Sequence, residues 1–71
     1  MIVGDLIYND DFNIDCDFEV YDCRIAENWQ TAPLLFSTLI NGGHKPLDSI
    51  LDMRIKLITI CESRIIVEAD N

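Results

Sequence analysis

The feature that most restricts the fold is the stretch from Asp11 to Val20, which alternates without a break. Phe12, Ile14, Cys16, Phe18 and Val20 fall on one side; Asp11, Asn13, Asp15, Asp17 and Glu19 fall on the other. A period of two over that length predicts a half-buried β-strand. One face belongs to a core, and the other is expected to be a row of carboxylates in water.

The rest of the chain offers partners for such a strand. Ile2 to Tyr8 is a short apolar run and reads as a first strand, irregular at Gly4. Asn9-Asp10-Asp11 is turn chemistry, so the alternating strand is expected to return antiparallel to it. After Val20 the parity slips: either a β-bulge near Tyr21-Asp22 returns Cys23 and Ile25 to the core side, or the strand ends there. Ala26 to Pro33 is a polar connection carrying Trp29. Leu34 to Ile40 fits a third strand, with Pro33 at its start. Asn41-Gly42-Gly43 is a turn. Pro46, Leu47, Ile50 and Leu51, with Asp48 early in the segment, predict a helix of one or two turns. Arg54 to Ile60 is the fourth strand, Cys61-Glu62-Ser63 a turn, and Arg64 to Ala69 a fifth strand. Ile65, Ile66 and Val67 in a row mark that last strand as central. Asp70-Asn71 is expected to fray. The expected fold is therefore α+β. It is a small antiparallel sheet of about five strands, bent or partly barrel-like, with one short helix before the last hairpin.

Seventy-one residues make a single domain, 1–71. A core of this size supplies on the order of 3–5 kcal/mol, so a deep substrate cleft would consume much of it. No apolar run approaches the roughly 18 residues of a membrane span. Asp5 interrupts the start and no base precedes it, so no signal peptide is expected. Cys16, Cys23 and Cys61 are odd in number and share no Cys-x-x-Cys spacing, which argues for reduced thiols and a cytoplasmic setting. Cys16 is expected to act as a small core hydrophobe and Cys61 to be the exposed thiol.

The net charge is −8, and it is uneven. Residues 1–44 hold eight acids against Arg24 alone, whereas 45–71 hold five acids against four bases. Direct binding to nucleic acid or to an anionic membrane is disfavoured, and a basic partner protein is favoured.

Four constellations bear on function. Asp11, Asn13, Asp15 and Asp17 have the spacing of the first ligands of an EF-hand calcium loop, but Cys16 replaces the required Gly and Asp22 the bidentate Glu. Side chains in a row along a strand do not wrap one ion, so no metal is expected. His44 is the only histidine; nothing in its spacing ties it to Cys23 or Cys61 as a base for a nucleophile, and no cofactor is expected. Trp29 reads as a lid over one end of the sheet, with a partner anchor as the alternative. The acidic row reads either as a solvated face that blocks edge-to-edge aggregation or as an imitation of a nucleic-acid backbone. Carboxylates two residues apart on a strand stand about 6.6–6.8 Å apart, near the step between phosphates along one strand.

Met1-Ile2-Val3-Gly4-Asp5-Leu6-Ile7, Asn9-Asp10-Asp11-Phe12 and Pro46-Leu47-Asp48-Ser49-Ile50-Leu51-Asp52-Met53 together resemble small acidic proteins of phages and mobile elements of Gram-positive bacteria. That resemblance implies an interaction or counter-defence role rather than metabolism. The expected function is thus a non-catalytic module whose Asp11, Asp15, Asp17, Glu19 and Asp22 dock on a basic surface. The alternative is a structural protein whose apolar sheet edge self-associates, as a homodimer for instance.

Overall fold

The computed structural model describes residues 1–9, 16–41 and 45–71. Chain order runs α1 (Val3–Ile7), β1 (Asp17–Asp22), a 3-10 turn (Trp29–Thr31), β2 (Leu34–Ser37), α2 (Thr38–Asn41), α3 (Asp48–Leu51), β3 (Arg54–Cys61) and β4 (Arg64–Asp70). The four strands form one open sheet in the order β2-β1-β4-β3. The fold is α+β with several short helices, and the sheet does not close into a barrel.

Two expected strands are corrected. The Ile2–Tyr8 run holds a helix, because Val3, Leu6 and Ile7 are spaced by three and four and turn one apolar stripe inward. The Asp5 carboxylate accepts the Ile2 N–H at 3.1 Å, tying down an orphan donor of the first turn. Gly4 lets α1 lie close to α3: a Cβ there would stand 3.3 Å from the Leu51 carbonyl oxygen. The strand expected over Leu34–Ile40 ends at Ser37, whose hydroxyl accepts the Leu39 N–H at 3.2 Å. That is helix-capping chemistry, and it starts α2. The sheet therefore has four strands, not five.

Other expectations hold. The pairing of β1 with β2 is antiparallel, with a register shift between Val20 and Tyr21, next to the Tyr21-Asp22 position expected for a bulge. The hairpin of β3 and β4 is antiparallel, β4 is central, and α3 occupies the expected helical segment. The β1–β4 pair, by contrast, is parallel, from Asp17 opposite Arg64 to Asp22 opposite Ala69. Asp70 does not fray: it pairs with Arg54 at 3.1 Å.

The core lies between the helices and one sheet face. Val3, Leu6, Ile50 and Leu51 from α1 and α3 pack on Val20, Phe36, Val67 and Ala69. Strand alternation sends Glu19, Tyr21, Arg64, Ile66 and Glu68 to the opposite face. Ile66 is nonetheless fully buried. The segment between β1 and β2 crosses there, held by Lys56 Nζ donating to the Glu27 carbonyl at 3.1 Å and by Trp29 over Tyr21 and Arg64.

Candidate functional site

The five acids expected to dock on a partner are not all equivalent. Asp11 and Asp15 lie outside the described residues, so the continuity of the row is described only from Asp17 onward. The Asp17 carboxylate accepts the Thr38 hydroxyl at 2.9 Å, and Phe18 N–H donates to the same hydroxyl oxygen at 3.1 Å. Glu19 is not in water: it is 7% exposed, and Arg64 Nη1 stands 3.1 Å from its Oε1. Tyr21 Oη donates to that carboxylate at 3.2 Å. Burial and the negative charge of Glu19 both push the Tyr21 phenol above its ordinary pKa. Asp22 takes two hydrogen bonds from the Arg24 guanidinium, at 2.8 and 2.6 Å, which hold its carboxyl below the usual carboxylate range. The expected solvated row is therefore corrected at Glu19 and Asp22, whose charges are matched by Arg64 and Arg24. Basic residues distant in sequence or displaced by two positions do not show in an alternation pattern.

Trp29 behaves as the expected lid. Its ring centroid lies 5.5 Å from that of Tyr21, and the Arg64 guanidinium carbon sits 5.7 Å from it. Arg64 is thus held between a carboxylate and an aromatic face, a cation–π arrangement.

The thiols divide differently from the expectation. Cys16 is exposed rather than core, Cys61 is half-buried, and Cys23 is buried. Ile25, expected on the core side with Cys23, is 98% exposed. Cys23 Sγ donates to Glu68 Oε2 at 3.6 Å. Burial and the Glu68 carboxylate push this thiol up, away from the thiolate a nucleophile needs. His44 lies outside the described residues. Among the described residues no group of three His, Cys, Asp or Glu is placed to hold a metal ion. An open cleft of about 640 Å³ runs beside Asp22, Arg24, Ile25 and Asn71, but its two charged side chains are bonded to each other. No helix among the described residues is long and apolar enough to cross a membrane.

Among the described strands β2 and β3 form the two rims of the sheet, and the outer edge of β3 is the longer. Its first part is covered: Val3 N–H donates to the Met53 carbonyl at 2.8 Å and Ile55 N–H to the Met1 carbonyl at 2.9 Å, around an Ile2–Arg54 bridge. From Lys56 onward no described strand pairs with this edge. Leu57 is 54% and Ile60 79% exposed. Leu57 to Cys61 carries no charge and no proline. The sequence shows this uncharged run, but whether it is an edge depends on strand order. Comparison of the chain with protein-family models, with curated proteins and with solved structures returns no match.

Proposed function

We propose that the chain is a non-catalytic interaction module, and that its contact element is the open half of the β3 edge. The observation that carries this reading is a run of backbone groups that no described strand pairs, flanked by exposed Leu57 and Ile60. Proteins ordinarily blunt such an edge with charge, proline or a bulge, because it is a template for another strand. Here the bulge between Ile55 and Leu57, with the charge of Lys56, protects only the start. Strand addition supplies affinity through main-chain hydrogen bonds and selectivity through alternate side chains.

A second reading keeps the acidic docking function. It rests on the net charge of −8 and on exposed Asp5, Asp48 and Asp52 in the helical layer, where Lys45 approaches Asp48 only to 3.9 Å. In that reading a basic protein surface, such as a nucleic-acid groove, is the target, and Asp11 and Asp15 add to the acidic charge. Either function agrees with the interaction role implied by the resemblance to small acidic phage proteins.

Capture on the immobilised protein separates the two. Under the first reading a retained partner is lost with Ile60→Pro and persists at high salt. Under the second it is lost at high salt and with Asp48→Asn/Asp52→Asn or Asp11→Asn/Asp15→Asn, whatever stands at Ile60. Retention indifferent to Ile60→Pro removes the edge from consideration.

A further inference from the structure

We infer that residues 25–32 form a strap that swings off the sheet face opposite α1 and α3 as one folded piece, while all four strands stay paired, and that this motion gates the Cys23 thiol. The β3 edge has no part in it.

The base of the strap is fixed without its middle. Asp22 N–H donates to the Pro33 carbonyl at 2.9 Å and closes the loop, and Cys23 N–H donates to the Ala69 carbonyl at 2.7 Å. Departure of residues 25–32 therefore breaks no bond of the sheet. A compact loop whose ends lie together is a unit of its own, of a kind that frequently carries function.

The middle is lightly held. No residue within 25–32 is buried, and Ile25 is turned to solvent. Among the described residues, one hydrogen bond joins this stretch to the rest of the fold, from Lys56 Nζ to the Glu27 carbonyl. The other anchor is the Trp29 ring over Tyr21 and Arg64. A segment with so few buried contacts opens more readily than the sheet beneath it unfolds. It leaves intact because it is bonded within itself. Asn28 Oδ1 accepts the Gln30 N–H at 3.0 Å, and the Asn28 and Trp29 carbonyls accept the Thr31 and Ala32 N–H groups at 3.3 Å each.

The groups on that face give the motion a consequence. The 3-10 turn of the strap packs on β4, the strand of Ile66 and Glu68. Cys23, Ile66 and Glu68 are each 3% exposed or less, and the Cys23 thiol bonds to the Glu68 carboxylate. Lys56, which anchors the strap, also acts on the thiol: burial raises the Cys23 pKa, and the Lys56 charge works to lower it.

Alkylation of the full chain by iodoacetamide under native conditions tests the inference, read at Cys23 by peptide mass spectrometry with exposed Cys16 as the internal reference. The reagent is slow, so the Cys23 rate reports the open fraction. That rate should lie about 10- to 1000-fold below the Cys16 rate. It should hardly change with urea below the unfolding transition, because opening the strap exposes little surface. Trp29→Ala should speed it about 5- to 30-fold and Lys56→Met about 2- to 10-fold. Loss of the Lys56 charge by itself makes the thiol less reactive, so acceleration in that variant comes from the strap. The wild-type urea dependence and Lys56→Met decide the matter even where Trp29→Ala does not fold. A Cys23 rate that climbs with urea along the slope of global unfolding overturns the strap. So does a rate equal to that of Cys16, or a flat rate that neither substitution raises.

Discussion

Glu19 occupies a position that alternation assigns to water, yet it is buried beside Arg64 and Tyr21. Its Oε1 serves two partners, and Arg64 is in turn stacked on Trp29. Removing the carboxylate leaves the guanidinium with its aromatic contact alone and the Tyr21 hydroxyl without its acceptor. Because the Arg64 side chain is 38% exposed, water compensates part of the loss. Glu19→Ala should therefore cost about 1–2 kcal/mol. The check is a urea titration, in which the midpoint falls while the slope is unchanged. The alternating pattern made the Asp17–Val20 part of β1 legible, because a two-residue period is a property of neighbouring residues. It did not reveal the pairing of Glu19, because Arg64 is 45 positions away along the chain.

Among the elements, β4 carries the most burial, and its two faces are closed by different parts of the chain. Val67 and Ala69 meet the helices, while Ile66 is fully buried on the face that the Trp29 segment crosses. Three adjacent apolar residues predicted this central position, since neither face of such a strand suits water. Ile66→Ala should remove about 2–5 kcal/mol, comparable to the whole stability of a domain this small. A thermal melt by circular dichroism should show the variant largely unfolded, whereas Ile60→Ser, on the exposed edge, should melt within a few degrees of wild type. The opposite error occurred at α1. Short apolar runs look alike in helices and buried strands, and only the contact of Val3 and Leu6 with α3 decides for the helix.

For the molecule as a whole, three perturbed groups on or beside the sheet's second face set limits on pH. Hydrogen bonds from Arg24 depress Asp22, so its contribution is present above its ordinary carboxylate pKa and is lost as pH falls through the lower folded value. Burial raises Cys23 and Tyr21, so theirs is complete below the ordinary thiol and phenol values and is lost as pH rises through the raised folded ones. The melting temperature should thus be highest across the neutral range, falling below about pH 4 and above about pH 8.5. Asp22→Asn should flatten the acid limb and Cys23→Ala the onset of the alkaline one, both read from melts in a buffer series.

From its sequence alone this chain was bound to be small and strongly acidic, with a two-residue rhythm in its first half, a break in that rhythm after Val20, a helical turn after Pro46 and a closing hairpin. Each of these depends on residues within a few positions of one another, where side-chain periodicity and turn chemistry act directly. Tertiary structure alone decided that β1 lies parallel to β4, that the Trp29 segment roofs the second face, that Glu19 is matched by Arg64, and that β3 is left at the rim. Those outcomes arise from contacts between residues far apart in the chain. Such contacts are chosen by competition among all the surfaces that need burial, and no local pattern records which of them wins.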